Sequence, residues 1–169
     1  MSNDSRWQKR QNRGPHDAII SAISVGAVFI LFGLVFVLAL PNNLWDKTIA
    51  FFSNLTATPV SGITNLVLPA PANPGMHAVF YTAVFQFSVG IAFLEVLTLA
   101  LRIGFGSPIR RIAETVGNLV FWFGAAYLDQ AYLNSSTMPR QWFTYWALIL
   151  VVLGFSIVVR GIVLLARRK

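Results

Sequence analysis

The chain has 169 residues, of which 56% are hydrophobic and only 11% are charged, and it contains no cysteine. This composition excludes an ordinary water-soluble domain, in which about a quarter of the residues are charged. The lack of cysteine excludes disulfides and thiolate metal sites. The net charge of +7 does not indicate nucleic-acid binding, because the basic residues lie at the ends of apolar runs, where they orient membrane helices and meet lipid head groups.

Four apolar runs predict an all-α polytopic membrane protein with four transmembrane helices. A hydrocarbon core of roughly 30 Å needs about 20 helical residues, and we place the spans at about 18–40, 78–101, 112–133 and 143–166. They form a single domain over 18–166, with a basic arm at 1–17 before it and a basic tail at 167–169 after it. The first run is too long for the apolar part of a signal peptide, so we expect an uncleaved first span.

Residues that favour helix ends predict where two of the helices begin. Asp17 precedes the first apolar run and is a typical N-cap, and Pro41 closes that run. Ser107 and Pro108 are predicted as the N-cap and the first residue of the third helix, since proline is common at the first helical position.

The outer loop over 41–77 is the longest connection. Trp45, Ile49, Phe52 and Leu55 share one helical face, which predicts a short interfacial helix lying on the membrane surface. The proline-rich segment LPAPANPG that follows is predicted as an irregular capping loop. At the start of the fourth run, the aromatic residues are predicted to form a belt at the membrane interface; these are Trp142, Tyr145 and Trp146.

The distribution of basic residues predicts the orientation. With four spans and the N-terminus inside, all but two of the 13 lysines and arginines are cytoplasmic, and only Lys47 and Arg140 lie outside. If the third run did not cross, the basic tail would fall on the outer side and this bias would be lost. The positive-inside rule therefore predicts a multi-pass protein of the cell membrane with cytoplasmic N- and C-termini.

Glu95 is an ionisable residue inside the second span, and such residues are rare enough to be functional candidates. It stands seven residues before Arg102, about 10 Å along the helix, and Arg160 stands seven residues before Arg167. Both helices run from outside to inside, so Glu95 and Arg160 are expected at similar depth. This predicts an intramembrane ion pair. Two alternatives are that Arg160 extends to the head groups while Glu95 is solvated, or that Glu95 has a transport role.

Small residues at regular spacing let membrane helices approach closely, although glycine and alanine are also common in membrane helices generally. They predict packing faces on two helices: Ala18, Ala22, Gly26 and Gly33 on the first, and Gly117, Gly124 and Ala131 on the third. Gln86 and Asn118 are polar side chains inside the spans and are predicted to form interhelical hydrogen bonds.

No catalytic, nucleotide-binding or metal-binding motif is present in the sequence. We therefore expect a non-enzymatic membrane protein without a cofactor, acting as an accessory or scaffolding subunit. Its expected partners are the lipid bilayer and another membrane protein or further copies of itself, and not nucleic acid. The alternative is a small oligomeric transporter or channel that uses Glu95 as an intramembrane carboxylate.

The order of features also suggests a family. A basic arm, a long proline-containing outer loop and the segment RRIAETVGNLVFWFGAAYL at 110–128 follow one another over most of the chain. In this order the chain resembles small uncharacterised four-span integral membrane proteins of archaea. The resemblance implies the four-span fold; it implies no activity and assigns no functional residue.

Overall fold

The computed structural model describes residues 15–60, 62–63 and 65–166. The basic tail and nearly all of the predicted basic arm lie outside these residues. The described chain is predominantly helical, with five α-helices, two short 3-10 helices and one β-hairpin. In chain order the elements are α1 (Pro15–Ala39), a 3-10 turn (Leu40–Asn42), α2 (Leu44–Ser53), β1 (Leu55–Pro59), β2 (Val67–Pro71), a 3-10 turn (Pro74–His77), α3 (Ala78–Gly104), α4 (Ile109–Tyr132) and α5 (Pro139–Ala166).

Three segments are long and apolar enough to cross a membrane: Asp17–Asn42, Pro74–Gly104 and Pro139–Ala166. They contain α1, α3 and α5 and correspond to the first, second and fourth predicted spans, each with slightly wider bounds. The third predicted span corresponds to α4. Its 24 residues would extend about 36 Å, but charged residues at both of its ends make it less apolar than the other three.

The long helices pack in chain order. Short connections join α3 to α4 and α4 to α5, so these helices are antiparallel neighbours. Helix α4 packs against both α3 and α5, whereas α1 packs against α3. At the contact between α1 and α3, Ser24 Oγ lies 3.1 Å from Thr98 Oγ1. Gly90 leaves room for the Leu31 side chain, because a Cβ at Gly90 would overlap the Leu31 methyl groups.

The proline-rich part of the outer loop is not irregular as predicted. Strands β1 and β2 form an antiparallel hairpin with a register from Leu55 opposite Pro71 to Pro59 opposite Val67. Its prolines are tolerated because each strand of a two-stranded sheet has an unpaired edge, where a missing N–H breaks no ladder bond. The hairpin is fixed to the helices by Trp142, whose Nε1 donates a hydrogen bond to the Pro69 carbonyl oxygen at 3.3 Å.

The short helix predicted in this loop is present as α2, but it packs through a different residue. Phe51 is buried and stacks on Phe80 with ring centroids 4.4 Å apart. Trp45, Ile49 and Phe52 are exposed, and Leu55, predicted on the same helical face, begins β1. The exposed face is compatible with a helix at a membrane surface.

The helix starts differ from the prediction, and the two residues predicted as N-caps bind each other. Helix α1 begins at Pro15, and Asp17 lies within its first turn. Ser107 is not the N-cap of α4; that position is Pro108. The Ser107 hydroxyl instead donates a hydrogen bond to Asp17 Oδ1 at 2.5 Å, which joins the start of α1 to the α3–α4 loop.

The predicted small-residue face of α1 is exposed, whereas two glycines of the one on α4 are packed against another helix. On α1, Ala18, Ala22, Gly26 and Gly33 are exposed, and no described atom lies within 4 Å of a Cβ built at either glycine. On α4, a Cβ at Gly117 would lie 3.2 Å from the Ser156 carbonyl oxygen, and one at Gly124 would lie 2.5 Å from Val152 Cγ1. These two glycines therefore allow α5 to approach α4 closely, whereas Ala131 is exposed.

Buried side chains of several elements form a hydrophobic core cluster in which four of the seven residues are aromatic. It comprises Phe51, Ala70, Tyr81, Leu128, Leu133, Trp142 and Tyr145, from α2, β2, α3, α4 with its C-cap, and α5. Trp142 and Tyr145 were predicted in an interfacial belt, but each is only 6% exposed. The belt prediction is wrong for these two, because other parts of the chain cover them: Trp142 lies against Phe51 of α2 and the Pro69 carbonyl oxygen of the hairpin, and Tyr145 lies against Asp129 of α4. Trp146 is 49% exposed and remains available for an interface with lipid.

Candidate functional site

Polar side chains gather at opposite ends of α4. The arginine end consists of Arg102, Arg110, Arg111, Glu114 and Arg160, where α4 begins and α3 and α5 finish. The aspartate site consists of Ser88, Asp129 and Tyr145, in the other half of the bundle. Glu114 and Asp129 are fifteen positions apart on α4, which corresponds to roughly 22 Å along the helix axis.

At the arginine end, one carboxylate is shared by three guanidinium groups. Glu114 lies 3.0 Å from Arg160, 3.2 Å from Arg111 and 3.6 Å from Arg110. Arg102 donates to the Arg111 carbonyl oxygen at 2.7 Å and to the Thr115 hydroxyl. The network joins the last turns of α3 and α5 to the first turns of α4. Because most of these side chains are partly exposed, each ion pair contributes little to stability.

Glu95 and Arg160 do not pair with each other. Arg160 binds Glu114, and Glu95 Oε1 accepts a hydrogen bond from Asn118 Nδ2 at 3.2 Å. Within the described part of the chain, no ion pair includes Glu95. The Asn118 bond connects α4 to α3, as an interhelical hydrogen bond would. Gln86 lies exposed on α3.

At the aspartate site, the Asp129 carboxylate is held by hydroxyl groups from two other helices. Asp129 is 1% exposed. Its Oδ2 accepts from Ser88 Oγ of α3 at 2.7 Å, and its Oδ1 accepts from Tyr145 Oη of α5 at 2.7 Å. Hydrogen bonds to a carboxylate are stronger than those between neutral groups, and burial of a charge is costly without them. Asp129 thus connects α3, α4 and α5 at one point.

Sequence reasoning missed Asp129. The residue follows directly after the apolar part of α4 that ends at Leu128, so it resembles an ordinary charge at a helix end. One signal was available: no lysine or arginine lies within four positions on either side, so a helical ion pair on α4 could not explain the carboxylate. Glu114 was also missed, although it is the residue that binds Arg160.

Two further buried polar atoms belong to residues at the start of α3. Tyr81 Oη and His77 Nε2 have no hydrogen-bond partner among the residues described. Buried polar groups are normally hydrogen-bonded, so each is notable. The described residues contain no group of three histidine, aspartate or glutamate side chains that could hold a metal ion.

No protein-family model, curated protein or solved structure matches this chain. The resemblance to archaeal membrane proteins therefore stays a prediction. The composition and the helices define a class: an all-α protein with three helices suited to cross a membrane.

Proposed function

We propose that the chain is a four-span protein of the cell membrane with cytoplasmic N- and C-termini, and that it is a non-enzymatic accessory or scaffolding subunit. It associates through α1 with another membrane protein or with a second copy of itself. The observation that carries this proposal is the uncovered small-residue face of α1.

The contacts between α3 and α4 support a crossing by α4. They are spread along most of both helices: Arg102 with Thr115, Glu95 with Asn118, Phe87 with Trp122, and Ser88 with Asp129. A helix of similar length that packs antiparallel along an apolar helix covers the same depth of membrane. Glu114, Asn118 and Asp129 of α4 bind partners on α3 and α5, which reduces the cost of placing them in lipid.

The arginine end supports the orientation. Arg102, Arg110, Arg111 and Arg160 all lie at the end of the bundle where α3 and α5 finish and α4 begins. Basic residues are enriched on the cytoplasmic side of membrane proteins. This end is therefore the cytoplasmic one, and the aspartate site, α2 and the hairpin face outward.

The two sides of α1 support an association through this helix. One side, which includes the buried residues Ile20 and Val35, packs within the chain. The other carries Gly26 and Gly33 with open space above both. In membranes, interfaces between helices favour small residues because they permit close approach of the backbones. An α1 with one packed side and one open, small-residue side is suited to hold a second helix.

The association is tested with a double substitution, Gly26→Leu and Gly33→Leu, in the full chain expressed in its native membrane. Purification in mild detergent is expected to lose a stoichiometric partner or the homo-oligomer. The thermal stability of the chain is expected to be unchanged, because both glycines face open space. Gly154→Leu on α5 is the matched control, since Gly154 also has no described atom near its Cβ position. Retention of the same complex by the double variant would contradict the proposal.

The crossing by α4 has its own test, because the natural chain has no cysteine. A cysteine at Phe105, before α4, and one at Ser135, after it, are compared in intact cells with a membrane-impermeant thiol reagent. We expect labelling at Ser135→Cys and none at Phe105→Cys until the cells are lysed. Equal labelling of both sites would mean that α4 does not cross.

The alternative function, a transporter or channel that uses Glu95, has less support. Glu95 lies in the half of α3 nearer the arginine end and binds Asn118. Carboxylates that couple transport are expected near the membrane midplane. Proton-coupled flux that is lost in Glu95→Gln would favour this alternative over the accessory role.

A further inference from the structure

Three guanidinium groups of the arginine end converge on Glu114. Arg160 Nη2 and Arg110 Nε lie 3.0 and 3.6 Å from the same carboxylate oxygen, Oε1, and Arg111 Nη1 lies 3.2 Å from Oε2. The side chains of Arg110, Arg111 and Arg160 are 79%, 35% and 43% exposed. A molecule at the surface of the bundle can therefore reach all three.

These three side chains carry more charge and more hydrogen-bond donors than Glu114 uses. Glu114 supplies one negative charge, and it accepts one hydrogen bond from Arg160 and one from Arg111. Its contact with Arg110 at 3.6 Å is longer than a hydrogen bond. Because each guanidinium group has five N–H donors, most of these donors have no acceptor within the described chain.

The other carboxylates in this half of the bundle do not supply the missing negative charge. Asp17 accepts a hydrogen bond from Ser107, and Glu95 accepts one from Asn118. Neither forms an ion pair with an arginine among the described side chains. Positive charge at the arginine end is thus uncompensated. Guanidinium groups match the paired oxygens of phosphate, so a phosphate group is the anion that fits.

The surroundings of Arg160 indicate that this phosphate belongs to a lipid. Helix α5 has 28 residues, about 42 Å, which exceeds the roughly 30 Å of the hydrocarbon core. Arg160 stands six positions before the end of α5, near the boundary between head groups and acyl chains. Leu153 and Ile157, seven and three positions before Arg160, share its face and are 43% and 62% exposed. A lipid covers this apolar strip, whereas a soluble phosphate does not.

We propose that the arginine end binds one anionic phospholipid, with its phosphate between Arg110 and Arg160 and an acyl chain along Ile157 and Leu153. Phosphatidylglycerol has the required net negative charge, whereas the ammonium group of phosphatidylcholine neutralises its own phosphate. The site rests on the proposed insertion of the chain in a membrane. It does not depend on the association through α1, nor on which side of the membrane the arginine end lies.

The test compares the two lipids directly. The full chain is reconstituted in nanodiscs that contain equal amounts of phosphatidylglycerol and phosphatidylcholine with identical acyl chains. After transfer to a mild detergent, native mass spectrometry counts the lipids that stay bound. We expect the first bound lipid to be phosphatidylglycerol in about tenfold excess, because its phosphate forms charge-assisted hydrogen bonds without a competing ammonium group. Equal retention of the two lipids would overturn the proposal.

Substitutions assign the lipid to the arginine end. Arg110→Gln should fold normally, because Arg110 is the most exposed of the three arginines, and it should reduce the excess of phosphatidylglycerol about threefold. Adding Arg160→Gln should make the retention of the two lipids equal. The matched control is Arg140→Gln, which removes an exposed arginine at the other end of α5 and should keep the full excess. An unchanged excess in Arg110→Gln, or an equal loss in Arg140→Gln, would overturn the site.

The same experiment separates this site from the proposed function and from a soluble ligand. If the chain does not enter the nanodiscs, the membrane location and the lipid site are both wrong. If it enters them and retains the two lipids equally, only the lipid site is wrong. Inorganic phosphate in excess is not expected to displace phosphatidylglycerol, because it does not contact Ile157 and Leu153. Displacement by inorganic phosphate would overturn the lipid as the occupant.

Discussion

The arginine end and the aspartate site use carboxylates in opposite ways. At the arginine end, Glu114 is partly exposed and is shared among Arg110, Arg111 and Arg160. At the aspartate site, Asp129 is buried, has no basic partner among the residues described, and is held by two neutral hydroxyl groups. The same chemical group is therefore surrounded by excess positive charge at one end and by none at the other.

This difference indicates that the stability of the helix bundle and its orientation in the membrane arise at different ends of the molecule. Exposed ion pairs contribute about 0–1 kcal/mol each, whereas removing one partner of a buried hydrogen bond costs about 1–3 kcal/mol. We therefore expect the aspartate site to hold α3, α4 and α5 together. The positive charge of the arginine end mainly determines on which side of the membrane this end of the bundle lies.

The largest effect is expected for Asp129→Ala. The substitution leaves the buried hydroxyls of Ser88 and Tyr145 without an acceptor and should lower the free energy of unfolding by roughly 2–4 kcal/mol. Reversible unfolding in mixed detergent micelles measures the loss, with Glu114→Ala as the control at the other end. A larger loss in Glu114→Ala would reverse the comparison between the two ends.

A smaller loss is expected when only one hydroxyl is removed. Ser88→Ala and Tyr145→Phe should each lower the free energy of unfolding by about 1–2 kcal/mol, since Asp129 keeps one donor. When either substitution is combined with Asp129→Ala, it should lower the free energy of unfolding by less than it does alone, because the hydrogen bond to Asp129 is already lost. The double variants are measured in the same micelles. Additive losses would show that the hydrogen bonds are not the source of the stability.

At the arginine end, Glu114→Gln should lower the free energy of unfolding by less than about 1 kcal/mol, and the difference should shrink at high salt. Measurement at low and high ionic strength checks both statements. Glu95→Gln and Arg160→Gln should give additive losses, because these two residues do not pair. If the losses from the two substitutions were not additive, Glu95 and Arg160 would interact, as the sequence predicts.

The smallest effect is expected for Asn118→Ala, which removes the hydrogen bond to Glu95. Interhelical hydrogen bonds in membranes average about 0.6 kcal/mol, and alanine regains part of this because it is the better helix former. The same unfolding measurement applies, with Gly154→Ala as a control for helix propensity. A loss as large as that of Ser88→Ala would mean that the hydrogen bond between Asn118 and Glu95 stabilises the bundle as much as one at the aspartate site.

Much of the helical framework follows from the sequence, because α1, α3 and α5 are apolar runs of sufficient length. The hairpin does not follow, since prolines usually interrupt strands and only a two-stranded sheet tolerates so many. The burial of Trp142 also depends on that hairpin. Contacts between elements distant in sequence decide both features, and local patterns do not report such contacts.

The ion pair between Glu95 and Arg160 was predicted from depth alone. Heptad spacing places the two residues at similar heights on parallel helices, but it does not specify their rotation about each helix axis. Helix α4 packs against both α3 and α5, and it supplies Glu114 to Arg160 and Asn118 to Glu95. Asp129 was missed for a related reason, because its significance depends on hydroxyl groups from two other helices.

The packing of α1 against α3 has a consequence for how the protein is made. Two residues of α1 that contact α3, Ser24 and Leu31, are synthesised before their partners Thr98 and Gly90. At about 5–20 residues per second, α1 waits on the order of several seconds for α3. Two features suit α1 to this interval. It is the most hydropathic of the three candidate spans, and the Ser24 hydroxyl donates to the Ile20 carbonyl oxygen of its own helix at 2.9 Å. A newly inserted α1 can therefore remain alone in lipid until α3 arrives.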